Sequence, residues 1–195
     1  MISDRVPVAG VLVLSGPPCS GKSRVGRELT AHGSEAVPRR ILLEVDALFD
    51  LLLPGSDRNR DDRMLAYDAA HLLASLLVER GHLVVLECTY ARREQRVSLV
   101  EALAQVPETP LWVVECFVSP EDAVRRFRTR EHATDLDEAL VRERAEGFRY
   151  VDPALRLRSS DATPEALAER VMAWLRRSPP PVQRDVWAQA GRDSG

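Results

Sequence analysis

The sequence predicts an α/β protein: a three-layer α/β/α sandwich around a five-stranded, mostly parallel sheet with a helical lid. Two observations predict it. Short aliphatic runs recur along the chain, each followed by a segment of helical periodicity, which is the signature of βαβ units with right-handed crossovers. A loop rich in glycine, proline and serine, Gly16 to Ser23, joins the first of these runs to the first helical segment.

The strands come first in the argument. Val11 to Leu14 is a continuous aliphatic run, the pattern of a strand buried on both faces of a parallel sheet. Ile41 to Val45, His82 to Leu86, Leu111 to Val118 and a weaker Leu155 to Arg158 are the further strand candidates. Helical periodicity runs through Lys22 to Ala31, Met64 to Arg80 with Gly81 as a stop, Arg92 to Val106, Pro120 to Arg130 and Pro164 to Arg177. Ser119-Pro120 and Thr163-Pro164 each place a capping hydroxyl before proline at the first helical position. The charged stretch Pro54 to Arg63 reads as a loop over the carboxyl edge of the sheet. Ser178 to Gly195 opens on a proline run and reads as a loosely held tail, with Val186 to Ala190 as a short docking helix. The expected organisation is one domain over residues 1–177, with a lid over about 125–150, followed by a tail over 178–195.

Composition narrows the function. The chain has 195 residues, 45% hydrophobic and 29% charged, with a formal net charge of -3, an ordinary globular balance with no global basic field for nucleic acid. Cys19, Cys88 and Cys116 have no paired metal-ligand spacing, so reduced thiols in a cytoplasmic protein are expected. The apolar run Val6 to Leu14 is too short, and its basic flank too weak, for a secretory signal, and no segment is long and uncharged enough to span a bilayer.

The chemistry concentrates at predicted strand ends. Gly16-Pro17-Pro18-Cys19-Ser20-Gly21-Lys22-Ser23 fits G-x-x-x-x-G-K-[ST], preceded by a buried strand and followed by a helix. Glycines let the backbone curl round a phosphate, consecutive amides and the helix amino terminus hold the anion, and the lysine bridges phosphates. The nucleotide-binding set is Gly16, Cys19, Ser20, Gly21, Lys22, Ser23 and Arg24; Pro17 and Pro18 lack amide hydrogens, so the donors start at Cys19.

In "ILLEVDALFD", Glu44 and Asp46 are two apart and are expected on one face of the second strand. Asp46 suits a general base toward an acceptor hydroxyl, a holder of magnesium-bound water, or a helix N-cap. Glu87 ends the third strand at a position suited to tethering magnesium through water. Thr89 and Tyr90 follow it, and Arg93 and Arg96 share a helix face that serves either as a clamp for an acidic substrate or as a solvated surface. Arg126 and Arg130 are four apart, placed either to reach a transferred phosphoryl group from a mobile flap or to form salt bridges within a charged hairpin.

With these pieces in order, the chain resembles the P-loop kinase family, in particular chloramphenicol phosphotransferase-like and polynucleotide-kinase-like ATP-binding proteins related to zeta toxins. The resemblance covers Val11 to Arg177 and implies the P-loop NTPase fold. It implies ATP and Mg2+ as cofactors, Asp46 as general base, Lys22, Arg126 and Arg130 as further catalytic residues, and Ser23 on the metal. The acceptor side would comprise Glu44, Asp46, Thr89, Tyr90, Arg93 and Arg96. The implied reaction moves the γ-phosphoryl group of ATP to a hydroxyl of a small molecule such as an antibiotic or metabolite. A nucleoside, nucleotide or polynucleotide 5'-hydroxyl is the alternative acceptor, and a slowly hydrolysing ATP-binding regulatory module the alternative of another class.

Overall fold

The computed structural model describes residues 9–31, 39–129, 136–151 and 155–193. Five parallel strands form its sheet: β1 (Gly10–Ser15), β2 (Arg40–Glu44), β3 (Leu83–Glu87), β4 (Leu111–Phe117) and β5 (Leu155–Arg158). Their spatial order is β2-β3-β1-β4-β5. β1 is therefore the innermost strand, and the chain reverses its direction of travel across the sheet on either side of it. That reversal opens a crevice at the carboxyl end of β1, the place where ligands of open α/β sheets collect.

The helices are α1 (Lys22–Ala31), α2 (Val45–Leu52), α3 (Arg60–Glu79), α4 (Arg93–Ala102), α5 (Pro120–Arg128), α6 (Glu138–Glu146), α7 (Pro164–Arg176) and α8 (Arg184–Gln189). Alternation along β1 divides the core in two. Val11 and Val13 face Val84, Leu86 and the inner stripe of α3, whereas Leu12 and Leu14 face Val25, Leu29, Val171 and Leu175 of α1 and α7. Both faces are dry, which is why β1 reads as an uninterrupted aliphatic run.

The boundaries that bear most on the site depart from expectation for local reasons. β2 ends at Glu44, and Val45 opens α2 instead of closing the strand, because Val45 and Phe49, one helical turn apart, are the residues that α2 buries. α3 starts at Arg60, so the charged stretch is only partly a loop: the Asn59 side chain accepts the Asp62 N–H, and Asp61 and Asp62 occupy the first turn, where acidic groups favour the helix dipole. α4 starts at Arg93 instead of Arg92, with the Arg92 N–H donating to Gln95 Oε1 at 3.1 Å.

The C-terminal segment carries a short helix, α8, where docking was expected over Val186 to Ala190, and is held along more of its length than a loose tail. It folds back on the domain over its described residues. The Val182 N–H donates to the Leu111 carbonyl at 2.8 Å, Trp112 Nε1 donates to the Pro179 carbonyl at 3.0 Å, and Trp187 is buried in the main core. The Arg184 guanidinium donates to the carbonyls of Leu103, at 3.0 Å, and Val106, at 3.3 Å, closing the end of the 3-10 turn Leu103–Gln105 that follows α4.

Candidate functional site

The loop between β1 and α1 adopts the conformation its glycines permit. Gly16 has φ +150° and Gly21 φ +89°. A Cβ at Gly16 would lie 2.5 Å from the Cys116 carbonyl oxygen and 2.8 Å from Ser20 Oγ, so only glycine lets the backbone pass there. Cys19 takes φ +61°, turning the chain toward the helix. Ser20 is fully buried in the loop and its hydroxyl has no hydrogen-bond partner. A buried polar group left unsatisfied calls for an explanation, and a ligand oxygen seated in the loop would give one.

Lys22 is the first residue of α1 and is buried, with its ammonium 3.6 Å from Glu87 Oε1. Ser23, the next residue of α1, also acts on the Glu87 carboxylate, opposing the effect of its burial. Glu87 ends β3 in register with Leu14 of β1 and Glu44 of β2, so β1 brings the loop to the level of both carboxylates. Burial acts against the Lys22 charge, but Glu87, with smaller help from Asp46 and the cysteines nearby, outweighs it and raises the ammonium pKa. Burial also raises the Glu87 carboxyl pKa, which Lys22 partly opposes. Cys88 and Cys116, buried close by, are pushed up to about 12, chiefly by burial, and are inert thiols.

The residues expected on the acceptor side scatter. Asp46 lies in the first turn of α2, so it does not share a strand face with Glu44; its side chain is 75% exposed, with Oδ1 3.8 Å from Arg58. Arg58, which the sequence reading did not select, also pairs with Asp50 and lies 4.6 Å over the Phe49 ring. Glu44 is held by Arg27 of α1, whose Nε and Nη2 donate to its two oxygens at 3.1 and 3.3 Å. Thr89 is half-buried with its hydroxyl 3.4 Å from Tyr67 Oη.

Tyr90 and Arg96 turn inward. Tyr90 is fully buried, its hydroxyl 3.0 Å from His71 Nε2 and its ring edge-on to Tyr67 at 5.3 Å. Arg96 is buried too, donating to the Tyr90 carbonyl at 2.8 Å and the Trp187 carbonyl at 3.1 Å, with its guanidinium 5.3 Å from the Trp187 ring. Arg93 pairs with Asp193 at 3.6 Å, and its backbone N–H donates to the Arg192 carbonyl at 2.8 Å. The expected arginine clamp is a clasp on the C-terminal segment instead.

On the other side of the loop, Arg126 of α5 donates to the Cys19 carbonyl at 3.2 Å and to Ser159 Oγ at 2.5 Å, tying the loop to the turn after β5. Arg24 is exposed on α1. Arg130 lies outside the described residues. Glu115, which no motif marked, is fully buried on β4: it accepts the Val151 N–H at 2.8 Å and lies 3.6 Å from Arg156. Burial raises its carboxyl to about 7 against the hydrogen bond from Val151 and the charge of Arg156.

Among the described residues, no three His, Cys, Asp or Glu side chains gather to hold a metal. Magnesium at such a loop needs no such cluster, because nucleotide phosphates and water supply most of its ligands. The Ser23 hydroxyl, in the first turn of α1, and the Glu87 carboxylate, beside Lys22, have the chemistry to serve it directly and through water. No described helix is long and apolar enough to cross a membrane.

Residues 11–151 match the AAA domain family. Among curated proteins, none matches the chain by sequence. Several solved structures share its fold. A candidate kinase from Chloroflexus aurantiacus aligns with a TM-score of 0.71 and 18% identity over 90% of this chain and 100% of its own. The APS kinase of Mycobacterium tuberculosis, solved with AMPPNP and APS, aligns with 0.63 and 21% over 87% and 98%. A gluconokinase from Sinorhizobium meliloti aligns with 0.61 and 22% over 89% and 94%. Phosphate-type loop, strand order and family match agree: the chain belongs to the AAA domain family and has the P-loop kinase fold.

Proposed function

We propose that the protein is an ATP- and magnesium-dependent phosphotransferase that moves the γ-phosphoryl group to a hydroxyl of a small molecule. One observation carries the reading. A buried lysine at a helix amino terminus faces a strand-end carboxylate, in a loop that turns at glycines of positive φ and holds an orphaned, buried serine hydroxyl. The solved relatives of the same fold that are named as kinases support it.

In this reading the amides from Cys19 onward and the α1 dipole bind the phosphates, and the Lys22 ammonium, kept charged by Glu87, bridges them. Ser23 and Glu87 would hold magnesium, which when bound neutralises charge on the phosphates. Asp46 accepts the proton of the acceptor hydroxyl as that oxygen bonds to the γ-phosphorus and the bond to the β–γ bridging oxygen breaks, releasing ADP. Its exposure leaves it open to an acceptor, and Arg58 at 3.8 Å orients its carboxylate without closing it off. Arg126, anchored beside the loop, and Arg130 stabilise charge on the moving group when the lid closes.

The test is acceptor phosphorylation from a panel of hydroxyl compounds, with ATP affinity measured in parallel. Lys22→Ala should abolish tight ATP binding. Asp46→Asn should bind ATP almost as before and lose transfer by roughly 10²–10⁴-fold. Unchanged ATP affinity in the first variant, or wild-type transfer in the second, overturns the assignment.

A further inference from the structure

Apart from the site, the largest unexplained feature is the outer face of α3. Leu65, Leu72, Leu73 and Leu76 of this helix are 51, 65, 39 and 45% exposed, and Leu51 and Leu52 of the adjoining α2 are 75 and 46% exposed. Leu65, Ala69, Leu72 and Leu76 follow one another at spacings of four, three and four, which aligns them as a single seam along about 16 Å of helix. The inner face of α3, from Ala66 through Val78, is already used against the sheet. Among the described residues, this seam is left largely to solvent.

Its size argues for a partner. With a fully exposed large apolar side chain presenting on the order of 150–200 Å², the four leucines of α3 together offer roughly 300–400 Å². That lies in the range of the largest patch on a typical monomer, which is often functional, and it is about half of the ~800 Å² that each partner buries in a stable interface, the rest falling to the flanking polar side chains.

Its pattern argues for a second copy. Laid antiparallel on itself about a twofold axis between residues 70 and 71, α3 pairs Leu65 with Leu76 and Ala69 with Leu72, in both directions at once. The same register brings exposed Asp61, in the first turn, opposite exposed Arg80, the C-cap residue, and sets Asp62 opposite Glu79, so the leucine seam and not net charge carries the pairing. Ala69, the one small residue of the seam, lies near the axis, where two helices must approach most closely. Asp68 is turned aside to accept from Ser98 Oγ on α4. A self-complementary patch of this kind is what an isologous dimer requires. We infer that the protein forms a homodimer through antiparallel packing of α3 on α3 across a twofold axis.

Sedimentation equilibrium of the full chain tests this directly. The wild type should run at twice the chain mass. Leu72→Glu, a change at a solvent-facing position that leaves the core intact, should run at the chain mass with unaltered circular dichroism and a cooperative melt. Asp61→Arg and Arg80→Asp should each weaken association by about 3–10-fold, and the double variant should restore it, since the reversed charges meet again across the axis. A wild type that stays monomeric at its highest soluble concentration overturns the inference, as does a dimer that survives Leu72→Glu. Failure of the double variant to recover overturns the antiparallel register.

Discussion

Replacing Trp187 with alanine tests whether the C-terminal segment is part of the domain. The side chain is about 1% exposed, its ring lies 5.8 Å from that of Tyr90, and the Arg96 guanidinium lies 5.3 Å from it. A buried tryptophan hides about 150–250 Å², which at ~25 cal/mol per Å² gives roughly 4–6 kcal/mol as an upper bound. Measured tryptophan-to-alanine losses in cores run at about 3–5 kcal/mol, so ~4 kcal/mol is expected. Urea unfolding should therefore show a midpoint lowered by about 1.5 M, taking a slope of ~2.5 kcal/mol/M for a chain of this size. Arg96→Met should couple to it, because the guanidinium rests on the ring that is removed, and a double-mutant cycle should return a non-additive term above ~0.5 kcal/mol. A loss under ~1 kcal/mol, with additive variants, would refute the docking of α8 and return the segment to the loose tail its prolines suggested.

Further outcomes follow from single residues. Gly16→Ala should fold but lose ATP affinity by at least ~10-fold in calorimetry, since its Cβ would sit 2.5 Å from the Cys116 carbonyl and displace the loop. Glu115 keeps its proton up to about 7 in the fold but releases it near 4.5 when unfolded, so its contribution is complete below pH 4.5 and falls away as pH rises to 7, by up to ~3 kcal/mol. Thermal melts should thus show Glu115→Gln gaining stability relative to wild type between pH 5 and 7.5, and parallel curves would refute it. His71 behaves in the opposite sense: burial lowers it from 6.5 to about 3, so the native state gains nothing from acid while the unfolded chain takes up the proton. Stability tied to His71 is complete above pH 6.5 and is lost toward pH 3, and His71→Gln should flatten that acid slope in urea titrations.

The sheet and the phosphate-type loop were legible because their signals are local. Val11 to Leu14 is apolar on both faces since both faces of β1 are covered, and Gly16, Gly21 and Lys22 stand at fixed offsets from the strand end that presents them. The proline starts of α5 and α7 were legible for the same reason, with the Ser119 and Thr163 hydroxyls accepting the N–H groups of Asp122 and Ala166. The β2–α2 junction was not. "LLEVDALF" satisfies a strand up to either Glu44 or Val45, and the choice is made by α2 needing Val45 and Phe49 on one inner stripe. That one-residue difference moves Asp46 from a strand face to a helix turn.

The arginines show where local reading stops. Arg93 and Arg96 are three apart on a helix next to the site, and nothing within that helix distinguishes a ligand clamp from an internal tie. The deciding residue, Trp187, lies 91 positions beyond Arg96 in a segment whose proline run argued for looseness. Once Trp187 enters the core, Arg96 has two buried carbonyls to satisfy and an aromatic face to cover, and a cation cannot do that and also meet a solvent-borne anion. The clasp has its own consequence for the site. Arg96 holds the carbonyl of Tyr90, a residue at φ +49° just after Glu87, Cys88 and Thr89, so the C-terminal segment fixes the backbone that leaves β3 beside the loop. Residues that look remote from the chemistry thus set the path of the loop beside it, and residues that look poised for chemistry are spent on holding that path.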